Sequence, residues 1–571
     1  MTDLQRSLAV LQSARWGARP ARALVGGGML ITAHRASRGI WDESMCLVRC
    51  LFVLVAVAVP CRFSAATEAH SPNVVFFLVD DLGWRDLGCY GSTFHETPRI
   101  DQFARQSMRF TQAYAACHVC SPSRASILTG KYPARLHLTD WLPGRKDFPF
   151  QKLKNAGIHA QLPLEEVTIA EVLKKHGYRT AHIGKWHLGE EPYGPQAQGF
   201  DVQIPRWNKG WPKVGYRAPF QLEGLPDSPG EYLTNRLTDE AVRFIEHNRS
   251  RPFFLYLSHF AVHDPIQGPA NLVKKYEARL RRAEITAPRR PFLLEDNPDD
   301  AHNQSAAELN ALLDDERYRD FKVLPDRMVK IKQVQDNAQF AAMVESVDES
   351  FGRVVTRLKD LGLDQETIVI FASDNGGMSA ANFGNPARVV APTKLDAAYS
   401  TSNLPLRGGK GWLYEGGIRV PLLVKWPGKG RAGICDFPVI SADFFPSILE
   451  MAAIPAEQKL ELDGISFAPL LTGTGELERE AIFWHFPHYS NHGMQSPGGA
   501  IRSGDFKLIE YFENGTVQLF NLHTDPGEQH DLAKAEPQRA AALVAMLHAW
   551  RKSVDATMMA PNPDYSGAAA E

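Results

Sequence analysis

Cysteine is scarce in this sequence. Of seven in 571 residues, Cys46, Cys50 and Cys61 fall near the N-terminus, and Cys89, Cys117, Cys120 and Cys435 are too few for a disulfide scaffold. Charge bias is also missing. Lys and Arg number 63 against 65 Asp and Glu, a formal net charge of −2, which argues against nucleic acid as a partner. The apolar run Leu51–Val59 is too short to cross a bilayer, so no stable membrane span is expected. No internal repeat suggests a solenoid. The chain has no second C-x-x-C to complete a zinc knuckle with Cys117-His118-Val119-Cys120, and a redox pair there stays a minority reading.

What is present is an ordinary globular composition, 44% hydrophobic and 22% charged. The length exceeds what one core usually supports, so a large domain and a smaller one are expected. Residues 1–66 read as a leader: Met45 opens MCLVRCLFVLVAVAVPCRFSAA, with Arg49 as positive start and Ser64-Ala65-Ala66 as small residues for cleavage near 64–68. The mature protein is therefore expected to be secreted or periplasmic, the start being Met1 or Met45. Lipid attachment at Cys61 ranks below simple secretion because Pro60 directly precedes it.

Apolar, β-branched runs predict buried strands at 73–79, 179–183, 253–258 and 367–373. Phe340, Met343, Val347, Phe351, Val354 and Leu358 recur at spacings of three and four and make one apolar helix face. Strands alternating with helices imply an α/β sheet flanked by helices, here over 72–475. A charged surface insertion with some helix is expected at about 271–334. A smaller antiparallel subdomain is expected over 476–560, with a hairpin turn at Glu513-Asn514-Gly515 and a helix near 538–554, before a disordered tail at 561–571.

In open α/β sheets, ligands bind beyond the carboxyl ends of strands. That position holds Asp80-Asp81 after Val79, Lys185-Trp186-His187 after Ile183 and Gly184, His263 shortly after Ser258, and Asp374-Asn375 after Ser373. Asp80, Asp81, Asp374 and Asn375 offer oxygen ligands, which suit Ca²⁺ or Mg²⁺ better than zinc. Pro122 suits a first helical position and Gly130 a helix end, so Cys120 would sit at a positive N-terminus with Arg124 one turn later, a place that favours an anion.

These residues lie in segments that resemble the type I sulfatases: VVFFLVDDLGW, CSPSRASILTGKYP, GKWHLG, FLYLSHFAVHDPIQ, IVIFASDNGG, GGKGWLYEGGIRVP, LDGISFAPLLTG and LFNLHTDPGEQHDLA, in family order from about Pro72 to Ala533. The resemblance implies an alkaline-phosphatase-like mixed sheet sandwiched by helices. It implies that Cys120 becomes formylglycine, through a formylglycine-generating or anaerobic maturation enzyme, and supplies the nucleophile. It also implies that Asp80, Asp81, Asp374 and Asn375, with residue 120, hold Ca²⁺ or alternatively Mg²⁺. Arg124, Lys185 and Lys410 would clamp the sulfate, His263 would protonate the leaving alcohol, and His187 would bind the nucleophile's hydrate. Ser123, Glu415 and Arg419 are expected to be structural, and Cys117 to pack beside the nucleophile turn.

A sulfated carbohydrate is the expected substrate, with Trp84, Trp186, Trp207, Trp211 and Trp412 as stacking candidates and His485 or His488 at the substrate rim. The alternatives are an aryl or choline sulfate, a phosphomonoester or phosphonate, or an inactive glycan-binding relative. Two substitutions separate hydrolysis through residue 120 from a thiol redox role. Cys117→Ala should keep sulfate release while Cys120→Ala removes nearly all of it; loss in both would favour the redox pair.

Overall fold

The computed structural model describes residues 71–282, 291–299, 305–322, 324, 328–382, 398–455, 459–473, 475 and 477–566. The expected leader therefore lies outside the described residues. The four expected strands form where anticipated, at Asn73–Val79, Arg179–Gly184, Phe253–Ser258 and Thr367–Ser373. All seven side chains of the first are buried, as a central strand covered on both faces requires.

These strands lie in one mixed sheet. Its order is Gly433–Cys435, Met108–Tyr114, Arg419–Lys425, Thr367–Ser373, Asn73–Val79, Phe253–Ser258, Arg179–Gly184 and Val202–Ile204. From the Thr367 strand to the Val202 strand every pairing is parallel; the Arg419 strand runs antiparallel to both its neighbours. Alternate residues of the first strand serve opposite cores. Val74, Phe76 and Leu78 join the helices at Ile169–Lys175 and Phe444–Met451. Val75, Phe77 and Val79 join those at Leu233–His247 and Ala338–Asp360. The predicted face from Phe340 to Leu358 is wholly buried in the second core.

The parallel register sets up the site. Val79 stands opposite Ser373, Leu78 opposite Ser258, and Gly184 also opposite Ser258. Four connections therefore leave the sheet at one level, and the residues that follow meet above it.

A second sheet runs antiparallel through Ile482–Phe486, Gly498–Ser503, Phe506–Tyr511 and Val517–Asn521 and packs with the helix Pro537–Ser553. Its core is shared with Tyr114, Trp412, Tyr414 and Ile418 of the larger layer. Charge reinforces this seam. Lys507 Nζ, fully buried, donates to Glu415 Oε1 at 3.1 Å and pairs with Glu528 Oε1 at 2.8 Å. Burial pushes the Glu528 carboxyl up to about 7 against the pull of Lys507. The expectation of structural roles for Glu415 and Arg419 fits: Glu415 also accepts from Tyr114 OH at 2.8 Å, and Arg419 lies over the Trp84 ring.

Two expectations need correction. The insertion carries helices at Ala270–Arg282 and Ala306–Asp314 but also strands, Phe292–Glu295 pairing antiparallel with Val329–Lys332. The tail does not loosen at residue 561. Ala560–Pro561 pairs with Leu153–Lys154, and the buried Asn562 amide donates to Phe148 O and Gln151 O. Residues 567–571 lie outside the described residues. No helix among the described residues is long and apolar enough to cross a membrane.

Lys507→Met should cost about 3–5 kcal/mol, because it leaves the buried Glu528 carboxylate without its cation and Glu415 with Arg419 alone, at 3.5 Å. Equilibrium denaturation measures this, and a loss under about 1 kcal/mol would show that the seam does not depend on the pair.

Candidate active site

Cys120 opens a ten-residue helix, Cys120–Thr129, in which every residue is buried. Pro122 lies in the first turn, where a missing N–H costs nothing, rather than at its first residue. The turn before the helix is held by Ser123, whose Oγ accepts from Cys117 N and donates to Cys117 O. Gly130 ends the helix at φ +71, packed against Phe445 and Leu462.

The strand-end residues converge as expected. Asp81 N donates to Asp374 Oδ1 at 3.1 Å, and Asn375 Nδ2 to Asp81 Oδ1 at 2.8 Å. Lys185 Nζ pairs with Asp80 Oδ2 at 2.6 Å, and Lys410 Nζ with Asp81 Oδ2 at 2.7 Å. Arg124 reaches Asp374 Oδ2 through Nε at 2.9 Å and Nη2 at 2.8 Å, while its Nη1 donates to Lys185 O and Ser258 Oγ. Three carboxylates thus face three side-chain cations in a buried space.

Close approach and strain accompany this convergence. Gly184 adopts φ +114, and a Cβ there would lie 1.8 Å from Ser258 O, so glycine alone lets the chain turn into Lys185. Asp81 and His187 both adopt φ 60, a left-handed conformation that non-glycine residues hold only when their surroundings impose it.

The two histidines have distinct settings. His187 Nε2 donates to Leu142 O at 2.8 Å, which leaves Nδ1 free to accept; burial lowers the ring's pKa, and the Cys120 sulfur opposes that. Burial and Lys410 press the His263 pKa downward, but Asp264, at 2.6 Å from Nδ1, with Asp81 and Asp80 holds it well above its ordinary value. His263 is therefore a ready proton donor.

The two neighbouring cysteines differ for the same reason. Burial raises the Cys117 thiol far above its ordinary value. Burial would raise Cys120 too, but Lys185, Lys410 and the hydrogen bonds shared with His187 and His263 overcome it and hold the thiol well below that value. All four described cysteines are free.

A hard cation fits the donor set. Ligand atoms of Asp80, Asp81, Cys120 and His263 all lie within 4.8 Å of one another. Asp80 Oδ1 and Asn375 Oδ1 are buried without hydrogen-bond partners. Burial drives the Asp80 carboxyl well above its ordinary pKa despite Lys185, the mark of a carboxylate short of positive charge.

Several other expectations fail by orientation. Trp186 and Trp412 are fully buried and cannot stack on a substrate, and Trp84 is half-buried with Nε1 donating to Thr111 O. Trp211 is 40% exposed and lies edge-on to His187, with Trp207 Nε1 donating to its carbonyl. His485 and His488 are not at a rim; both are buried, one bonded to Thr557 O and the other to Thr139 Oγ1. The histidine that does approach the site is His492, which no motif marked.

The sulfatase family model matches residues 72–454, and a model described as N-sulphoglucosamine sulphohydrolase, C-terminal, matches residues 409–554. Arylsulfatase A of Homo sapiens is 31% identical over 513 residues, spanning 83% of this chain and 87% of its own. An N-acetylglucosamine-6-O-sulfatase of Bacteroides thetaiotaomicron is 26% identical over 541 residues, spanning 83% and 85%. Among solved structures, Ps i-CgsB in complex with k-i-k-neocarrahexaose is 25% identical at a TM-score of 0.61, covering 84% of this chain and 93% of that one. The fold is the alkaline-phosphatase-like one that the resemblance implied.

A cation bound by this donor set would stabilise the native state by about 2.7 kcal/mol at a hundred times its Kd. Added Ca²⁺ should therefore raise Tm in the wild type and not in Asp81→Asn. An equal rise in both would place the ion elsewhere.

Proposed function

This chain belongs to the sulfatase family and is a sulfuric ester hydrolase, and from that premise we propose that it removes a sulfate monoester from a carbohydrate, using formylglycine at position 120 and a bound Ca²⁺. The observation that carries the mechanism is the convergence of residue 120, two lysines, two histidines and four oxygen-donor side chains in one buried space. Residue 120, once converted to formylglycine and hydrated, would offer a geminal diol, one hydroxyl to serve as nucleophile toward sulfur and the other to help expel sulfate. A divalent cation held by Asp80, Asp81, Asp374 and Asn375 supplies Lewis acidity toward sulfate oxygens.

The chain's own residues do the rest. Lys185 and Lys410, each paired with a carboxylate here, present the positive charge that a sulfate develops contacts with as its ester bond breaks. Arg124 orients Asp374 and, through its bond to Lys185 O, the loop that carries that lysine. His263, kept protonated by Asp264, gives its Nε2 proton to the departing alcohol oxygen. His187, with Nε2 committed to Leu142 O, receives a proton from the diol at Nδ1.

The carbohydrate reading is supported by Trp211, a 40% exposed aromatic side chain beside His187 of the kind on which sugar rings stack. It is also supported by a relative named as an N-acetylglucosamine-6-O-sulfatase and by a similar structure solved with a neocarrahexaose. A signal peptide at Met45–Ala66 and maturation by a formylglycine-generating or anaerobic enzyme complete the proposal, and the product is expected to act outside the cytoplasm.

The test is release of sulfate and phosphate from sulfated sugars, an aryl sulfate and an aryl phosphate, by protein whose conversion at residue 120 is confirmed by peptide mass. Sulfate from a sugar is the expected result. Turnover confined to the aryl sulfate would remove the carbohydrate reading, and phosphate alone would move the substrate to phosphorus esters.

A further inference from the structure

His492 sits in the connection between the strands Ile482–Phe486 and Gly498–Ser503 of the smaller sheet. That connection is clamped onto the segment carrying Lys410. Leu413 N donates to Gln495 Oε1 at 2.6 Å. Gly411 adopts φ +90, and a Cβ there would lie 2.1 Å from His492 O and 2.5 Å from its Cβ. Ser490 Oγ donates to His492 O and accepts from His492 N, fixing the loop's own turn. The smaller sheet thus delivers one imidazole to a set place one residue from Lys410.

His492 is 6% exposed, and neither ring nitrogen has a hydrogen-bond partner among the described residues. Buried polar atoms are seldom left so, and a pair on one ring calls for an occupant. His485 and His488 nearby each have a partner. His118 has none either, but it is wholly buried, with its ring centroid 4.1 Å from that of Phe486. Burial first, then Lys410, lower the His492 pKa to about 3, while Asp81, Asp264 and Cys120 oppose it, so the ring lies in the field of the reaction site.

A neutral imidazole carries one donor and one acceptor. That pair matches a hydroxyl, which also gives and accepts, better than it matches a sulfate, which only accepts and has the cations beside it. We propose that His492 is a specificity-determining residue that hydrogen-bonds a sugar hydroxyl next to the sulfated position, so that the smaller sheet reads the leaving group while the larger one performs the chemistry. The inference rests on the carbohydrate reading above.

The test compares wild type, His492→Ala and His492→Gln, all with residue 120 converted, on two substrates: the sulfated monosaccharide that the wild type hydrolyses best, and 4-nitrophenyl sulfate, which has no neighbouring hydroxyl. His492→Ala should lower kcat/KM on the sugar about 10- to 100-fold while the aryl sulfate stays within about threefold, and His492→Gln should recover part of the loss. Equal losses on both substrates, or an unchanged sugar rate, would overturn the proposal. Should His492→Ala lose its folding transition, His492→Phe fills the space without a polar atom and gives the same comparison. A wild type that hydrolyses the aryl ester and no sugar sulfate would instead overturn the carbohydrate reading, before any variant is measured.

Discussion

The mutual neutralisation of Asp80, Asp81 and Asp374 by Lys185, Lys410 and Arg124 is the constraint on which the rest of the structure depends. Charges buried to this extent cannot stand alone, because the desolvation of each ion costs several kcal/mol unless an opposite charge lies within contact distance. These six side chains leave five different parts of the chain, so the pairs hold the loops after three strands, the helix at Cys120 and the Lys410 segment in one arrangement. Arg124 is the hinge of it, since one guanidinium bonds Asp374, Lys185 O and Ser258 Oγ together. A site organised this way is set before substrate arrives, which is what electrostatic stabilisation of a charged transition state requires.

That arrangement has backbone costs. Asp81 and His187 are held at left-handed φ, and Gly184 and Gly411 tolerate approaches that any Cβ would block. The compensation comes from the cores on both faces of the mixed sheet and from the seam with the smaller sheet. At that seam Lys507 bridges Glu415 and Glu528, and Glu415 lies five residues beyond Lys410. The smaller sheet is therefore tied to the segment that bears Lys410, the partner of Asp81, and the same contact surface brings His492 to its place.

Much of the fold was legible because its signals are local. The buried strands, the helix face from Phe340 to Leu358 and the hairpin at Gly515 each follow from patterns within twenty or so residues. The expectations that failed concern which way a side chain faces after packing. Trp186 and Trp211 are both tryptophans in loops near His187, yet one is inside the core and the other is exposed. His485, His488 and His492 lie within eight residues, and only the packing of their strand and loop separates two histidines that each have a hydrogen-bond partner from one that has none. The tail at 561 was misread because its anchor, the Leu153–Lys154 strand, is some four hundred residues away in sequence.

By itself the sequence determined the family, the strand-end positions of the acidic pairs and the place of Cys120 at the start of its helix, since these depend on residue types at short spacing. The tertiary structure decided the register that levels Val79, Ser373 and Gly184, and with it which charges pair. It also decided how the smaller sheet leans on Lys410 and which aromatic and histidine side chains meet the site. The physical reason is that burial and ion pairing are properties of distances across the fold, and residues three hundred positions apart carry no local mark of the partner they will meet.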